Sequence, residues 1–336
     1  MRHKVLLFNA LLLIVAVGPA NLSAQTFSGD KRVEKTFKAA PGATIEVDNK
    51  YGKIHVIPWP KDSVKFIAEA AISSNNLSRL QKIKSNIQFH FSSSDYYITA
   101  STDFGNTGNQ IFAELKNISD NLITGKNSIA INYTIYCPEK INLSLINKFG
   151  DIYMDDITGR VKVSLSNGDI KVNSIKGEAQ IEINFGTGVI NNLTEGRLTA
   201  AYSDLMIRNA GNLTVNSKSS TININKAVLV KTDSRRDKMF ITDVEHLYGS
   251  SEFSQIWVDN LRCEATLDLK FGNLTVDKIR QDFCKIDISS EYADINLRIE
   301  QGTHYHSDLY YKEDAYVTFP GNGDETTVTT EESSPG

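Results

Sequence analysis

Three aspartates occupy the same place in a recurring sequence frame and are the first candidates for chemistry. Asp151, Asp169 and Asp204 each follow a glycine or a serine and begin an alternating apolar segment. Carboxylates stacked in this way could bind Ca²⁺, or serve as an acid–base pair on a polysaccharide. They could equally be structural, because an aspartate side chain readily bonds the backbone of a turn. Lys238 and Gln255 interrupt the series, which favours the structural interpretation.

Two histidines near the C-terminus are the candidates for a metal site. His304 and His306 alternate along the chain, so both would lie on one face of a strand and could share an ion. No third ligand is close in the sequence, whereas zinc takes at least three protein ligands. The chain also contains no nucleophile elbow, zinc-protease helix, dinucleotide fingerprint or phosphate loop. We therefore expect no catalytic residues, no metal and no cofactor.

A repeat of 17–18 residues positions these candidates. A small or turn-forming residue marks each unit, and the residues two and four places after it are apolar nearly every time. The markers are Gly150, Gly168, Gly186, Ser203, Ser220, Asp237, Ser254, Gly272 and Ala293, with successive spacings of 18, 18, 17, 17, 17, 17, 18 and 21. Apolar residues that alternate at period two indicate strands with one buried face.

The repeat predicts the fold. Each unit contains two short strands and two turns, and one unit cannot bury its apolar face alone. Stacked units can pair their strands in parallel, about 4.8 Å apart, around a central core. We predict an all-β fold: a parallel, β-helix-like solenoid of 17–18-residue rungs with an N-terminal α+β cap. A β-sandwich of spaced hairpins is the alternative, but sandwich strands do not repeat one template over so many units.

The repeat also predicts a disulfide. Cys263 and Cys284 each lie nine residues before a marker, in the turn position that glycine occupies in other units. Equivalent positions on neighbouring rungs are about 4.8 Å apart, which is within the range of Cα separations in disulfides. We predict a bond between these two cysteines across adjacent rungs, with Cys137 free and buried.

Five segments are predicted along the chain. The first 24 residues have a basic start, an apolar run and a small-residue end, as in a signal peptide that is cleaved after Ala24. The expected order is a signal peptide (1–24), a β-rich cap with one short helix (25–136), the solenoid (137–300), a C-terminal strand or cap (301–320) and a disordered acidic tail (321–336). No membrane span is expected in the mature chain, which should be periplasmic, at the cell surface or extracellular.

Charge excludes one class of partner. The 336 residues carry a formal net charge of -4, whereas a nucleic-acid-binding protein normally presents a strong basic excess to the phosphates. We therefore expect no nucleic-acid partner.

Several of these motifs resemble a bacterial family. The Tyr/Phe-Gly frames at Tyr51 and Phe149, and the strand Tyr133 to Cys137 that runs into Pro138, resemble the DUF4097 family, whose members bear the label "putative adhesin". The resemblance covers about residues 40–300. It implies an exported β-solenoid without established catalytic residues.

The predicted function is that of an exported, non-catalytic module at the bacterial cell envelope, either structural or adhesin-like in its binding. Its partner would be a glycan or a cell-surface protein, contacted through outward strand faces that carry Tyr153, Lys162, Lys171, Glu182, Asn223 and Thr275. The alternative is a polysaccharide lyase or hydrolase on a β-helix, an analogy that rests on fold alone. A further possibility is self-association through an uncapped end of the solenoid.

Overall fold

The computed structural model describes residues 26–105, 128–312 and 325–331, together with Tyr316 and Thr318. The segment predicted as a signal peptide lies outside the described residues. None of the helices in the described part of the chain is long and apolar enough to cross a membrane. The N-terminal elements are β1 (Phe27–Lys38), β2 (Thr44–Lys50), β3 (Ile54–Pro58), β4 (Ser63–Ser74), α1 (Leu77–Asn86), β5 (Gln88–Ser93), β6 (Tyr97–Asp103) and β7 (Ser128–Cys137).

Most of the rest of the described chain is a β-solenoid. It contains β8 (Asn142–Lys148), β9 (Ile152–Ile157), β10 (Val161–Ser166), β11 (Asp169–Asn184), β12 (Thr187–Ala201), β13 (Asp204–Lys218), β14 (Thr221–Arg235), β15 (Lys238–Ile279) and β16 (Lys285–Ile299), followed by β17 (His306–Lys312) and β18 (Glu325–Glu331). The solenoid has about nine turns with rungs of about 18 residues, preceded by a mixed sheet with one short helix. The predicted fold class is confirmed.

Two parallel sheets enclose the core. In each rung one strand precedes the marker and belongs to the first sheet, and one follows it and belongs to the second sheet. Val161 pairs with Leu143 of the rung before and Ala179 of the rung after, so these rungs are 18 residues apart in register. The alternating apolar residues of both sheets point inward and, except on β16, are almost wholly buried. Burying them accounts for the stacking, because no rung can shield them by itself.

The turn at the marker has an unexpected geometry. The residue directly before each of the nine markers, and before Gly52 in the early frame, has left-handed backbone, with φ between 50° and 65° at all ten positions of the described chain. These residues are Tyr51, Phe149, Asn167, Phe185, Tyr202, Ser219, Arg236, Phe253, Phe271 and Tyr292, and we call them the corner ladder. Of the marker glycines in the described chain, only Gly272 also has a positive φ, of 143°. The marker glycine supplies space instead: a Cβ on Gly150 would lie 1.9 Å from the backbone oxygen of Gly52. Close stacking of backbone on backbone therefore explains the glycines.

The opposite turn of each rung absorbs changes in length. Between Ile175 and Glu178 the register of β11 against β12 shifts by one residue, and the spacing of the rungs falls from 18 to 17. A second shift, between Val276 and Ile279, lies at the same turn of the longest unit, where the spacing falls from 21 to 20. The corner ladder keeps its conformation at both places.

The early frame around Gly52 forms the first rung of the solenoid. β2 pairs in parallel with β8, and β3 pairs in parallel with β9. The cap continues both sheets beyond this rung: β7, β4 and β1 extend the second sheet, while β6 and β5 extend the first. Helix α1 buries Leu80 and Ile83, and Asn76 caps its N-terminus by accepting a hydrogen bond from the Arg79 N–H.

The chain after the solenoid forms a separate pair of strands. β17 pairs in parallel with β18 and lies within the segment expected to be a C-terminal strand. β18 lies inside the range expected to be a disordered tail, whose remaining residues fall outside the described part of the chain.

Candidate functional site

The predicted aspartates lie in one column on the outside of the second sheet. Asp151 and Asp169 are on adjacent rungs, whereas the Thr187 rung separates Asp169 from Asp204. Asp151 accepts a hydrogen bond from the Asp169 N–H at 3.0 Å, and Asp169 accepts one from Thr187 Oγ1 at 2.6 Å. These carboxylates therefore tie each rung to the next.

The predicted histidines lie at the end of the described chain. His306 Nε2 is 3.1 Å from Asp308 Oδ1 on the same strand, β17, and His304 precedes that strand. Within the described residues, no group of three or more His, Cys, Asp or Glu side chains is arranged to hold a metal ion.

The two turn cysteines are bonded to each other. The Cα atoms of Cys263 and Cys284 are 4.9 Å apart on adjacent rungs, close to the spacing on which the predicted bond rests. Cys137 has a free thiol in the core, and burial raises its pKa to about 12. The thiol is therefore in its neutral, unreactive form at physiological pH.

Replacing Cys263 and Cys284 together by serine is expected to destabilise the chain. The bond closes a loop of 21 residues, and the chain-entropy model assigns about 3 kcal/mol to such a loop. Urea titration of the wild type and the double variant measures this difference. A reducing agent should destabilise the wild type alone, so an equal effect on the double variant would contradict the assignment.

A groove on the second sheet was not predicted as a unit from the sequence. Its floor contains His55, Tyr153, Lys171 and Val189, each of which lies three residues after a marker on successive rungs. One side is lined by the polar residues Asp155, Asn173, Asn191 and Arg208. We call this shallow depression of about 500 Å³ the face groove. The sequence signal for this groove is two sets of outward side chains, three and five residues after each marker. Only the register of the rungs places the two sets side by side.

Tyr153 is the centre of the face groove. Its ring is 6.0 Å from the His55 ring in an edge-to-face arrangement, and Lys171 Nζ lies 5.9 Å from its centroid. The hydroxyl donates a hydrogen bond to Asp151 Oδ2 at 3.3 Å. Desolvation and the negative charge of Asp151 raise the pKa of Tyr153, so the neutral phenol persists well into the alkaline range. The groove thus presents an aromatic ring with a fixed hydroxyl.

A row of amides runs beside this ring. Asn173 donates to Asp156 Oδ1 at 2.6 Å, and Asn191 donates to Asn173 Oδ1 at 3.1 Å. An amide offers two N–H donors and two acceptor lone pairs, so these bonds leave hydrogen-bonding capacity on the solvent side. The row can therefore donate to and accept from a polyhydroxylated ligand at regular intervals.

The corner ladder is a second exposed feature. Tyr51 stacks on Phe149 at 5.4 Å, Phe185 stacks on Tyr202 at 5.0 Å, and Phe253 stacks on Phe271 at 4.7 Å. The rings cover one another's faces along the axis and leave their edges in solvent. Each of these rings has one face covered by its partner, which leaves fewer ring faces on which a flat ligand could stack.

A second depression, of about 550 Å³, lies at the opposite turns of the first rungs. It is lined by Trp59 and by Pro41, Pro58, Pro60 and Pro138. The indole N–H donates to the Ser63 carbonyl at 2.7 Å, and Lys61 Nζ lies 4.8 Å from the ring. These contacts fix the indole within its own turn.

The chain is similar in structure to two solved bacterial proteins. One is "a putative adhesin" from Bacteroides fragilis NCTC 9343, with 12% identity over 80% of this chain and 97% of that one and a TM-score of 0.30. The other is "a putative cell adhesion protein" from Clostridium sporogenes ATCC 15579, with 9% identity over 80% of this chain and 100% of that one and a TM-score of 0.22. No family model matches the chain, and no curated protein does.

Proposed function

We propose that the protein is an exported, non-catalytic binding module of the cell envelope, of the adhesin-like kind suggested by the DUF4097 resemblance, and that it binds a glycan along the face groove. The observation that carries the proposal is the pairing of an aromatic ring, Tyr153, with a parallel row of amide and carboxylate groups. Sugar rings have apolar C–H faces and a rim of hydroxyls, so they need both kinds of contact at once.

The spacing of the groove favours a polymer over a single sugar. Equivalent side chains recur once per rung, at about 4.8 Å, and the bonded side chains Asp156, Asn173 and Asn191 lie on three successive rungs. A chain laid along the solenoid axis would meet the same donors and acceptors repeatedly. Many weak contacts of this kind add together along a linked ligand.

Replacing Tyr153 by alanine is expected to weaken glycan binding about tenfold, because an aromatic anchor contributes at least about 1.4 kcal/mol. Residues 25–336 would be screened on a glycan array, and the affinity for the best hit measured by calorimetry. Asn191→Ala should reduce affinity less, since the remaining amides still bind. Lys231→Ala is the control, because Lys231 faces outward from the first sheet, away from the groove.

Two results would overturn the proposal. If Tyr153→Ala binds the glycan as tightly as the wild type does, the face groove is not part of the binding site. Release of new reducing ends from a bound glycan would show that the protein is a polysaccharide-active enzyme, which is the alternative prediction from the sequence.

A further inference from the structure

Within the described residues, the core of the last rung of the solenoid is only partly covered. In the rung before it, the inward residues Ala265, Leu267, Leu274, Val276 and Ile279 are all buried. The equivalent residues of β16 are Ile286, Ile288, Ile295, Leu297 and Ile299. Four of these are only partly buried, and Ile295 is 40% exposed. The end of the molecule therefore carries an apolar strip of the kind that is covered everywhere else in the solenoid.

The backbone edge of the same rung is also open. Among the described residues β16 pairs with β15 on one side and with no strand on the other, because β17 pairs with β18 instead. An unpaired edge beside exposed apolar side chains is a template for pairing with another chain. The Cys263–Cys284 disulfide joins this rung to its neighbour and holds it in place as a template.

We propose that a second copy of this chain covers this end, with β16 paired antiparallel to β16 of the second copy about a two-fold axis. The proposal is independent of glycan binding, because the face groove lies on the first rungs and β16 is the last. It rests on a charge pattern that is complementary to itself.

The part of β16 in the first sheet is self-complementary around Ile288. A two-fold axis at this residue places Lys285 opposite Glu291 of the second copy, since 285 and 291 are each three residues from 288. It also places Ile288 against its own symmetry mate in the core. Opposite charges that face each other across an antiparallel pair are stabilising.

The part of β16 in the second sheet is self-complementary around Asn296. The axis there places Asp294 opposite Arg298 of the second copy and Ile295 opposite Leu297. Ile288 and Asn296 both lie four residues from the corner residue Tyr292. One two-fold axis across the solenoid can therefore pass through both centres, and both sheets can pair in the same dimer.

The other end of the molecule is built differently, because its two edge strands, β1 and β5, belong to the cap and pair antiparallel with their neighbours. The edge strand β1 carries alternating charges, with Arg32 and the neighbouring Lys65 of β4 paired to Glu34, and α1 packs against β1 and β4. Charged edge strands are a device that prevents pairing between chains. A head-to-tail contact would have to pair β16 with β1 as well as with β5, so the charges of β1 disfavour growth into a fibre, and the geometry points to a closed dimer.

Sedimentation equilibrium over a concentration series tests the dimer on residues 25–336. Lys285→Glu would place two glutamates opposite each other, at positions 285 and 291, twice in each dimer, and is expected to weaken association about tenfold. The double variant Lys285→Glu/Glu291→Lys restores opposite charges and is expected to recover the wild-type affinity. Lys162→Glu is the matched control, with the same change of charge on an exposed strand far from the end.

A wild type that remains monomeric up to roughly 100 μM would overturn the proposal. This is the result expected if the chain's own C-terminal residues cover the end. Open-ended growth with concentration would also overturn it, because a two-fold dimer is closed. If the single and the double variant weaken association equally, Lys285 does not lie opposite Glu291 of the second copy, which contradicts the proposed register. Circular dichroism melting curves that match the wild type show that each variant is folded.

Discussion

Replacing Gly150 by alanine is expected to lower the free energy of unfolding by at least about 4 kcal/mol, an effect in the exceptional range for one substitution. The added Cβ would lie 1.9 Å from the backbone oxygen of Gly52 and 2.6 Å from its carbonyl carbon. A flexible side chain could move aside, but here the obstacle is the main chain of the neighbouring rung. That oxygen also accepts a hydrogen bond from Asn147 Nδ2 at 2.9 Å, so moving it breaks a buried contact.

Thermal and urea unfolding of Gly150→Ala against Gly29→Ala separates this cause from a general effect of glycine. A Cβ on Gly29 would meet only the end of the Leu80 side chain, at 3.0 Å, and should change stability by less than about 1 kcal/mol. Similar losses in the two variants would show that close approach of the rungs is not the reason for the glycine.

Replacing Asp237 by alanine is expected to cost about 3–5 kcal/mol. Asp237 occupies the marker position but is buried, and its carboxylate accepts hydrogen bonds from Ser217 Oγ at 2.7 Å, the Ser220 N–H at 2.7 Å and the Arg235 N–H at 2.9 Å. Alanine would leave these donors unsatisfied in the interior, which carries a cost for each of them. The marker side chains Ser203, Ser220 and Ser254 continue this internal row, each accepting from the marker N–H of the rung before.

Chemical denaturation of Asp237→Ala at several pH values measures both the size and the pH dependence of this effect. Burial raises the pKa of Asp237 above its ordinary value of 3.8, and the three hydrogen bonds lower it only in part. Because the pKa is higher in the folded state than in the unfolded state, the stability that Asp237 adds is greatest below the unfolded pKa and decreases as pH rises through the folded pKa. The cost of the substitution should therefore be greatest in acid. Asp233→Ala, four residues earlier on β14 and exposed, is the control and should show neither effect.

The repeat was sufficient to predict the solenoid because it is a local signal that recurs. Residues two and four after each marker alternate in burial, and this follows from strand geometry alone. The separation of Cys263 and Cys284 followed from the same register. The cap strands pair over long distances in sequence, as β4 does with β7, and no local pattern indicates such partners.

The chemistry of the turns and the groove was harder to anticipate. Gly150 and Asp237 share one position in the repeat but serve opposite purposes, since one leaves room for backbone and the other fills it with a carboxylate. The left-handed residue is Phe149 and not the glycine beside it, contrary to the usual preference. Only the three-dimensional register places Tyr153 beside the amides of the following rungs.

The two turns of each rung have different consequences for how such a chain can vary. At the corner ladder every rung has the same backbone conformation, so an inserted residue there would displace the stack. At the opposite turn, between Ile175 and Glu178, a one-residue change in rung length leaves the strands on either side paired. The corner ladder therefore keeps the spacing of the rungs constant. The opposite turns can accept longer loops without disturbing that spacing. New binding specificities would be expected to arise by insertion of residues at the opposite turns, without any change to the core.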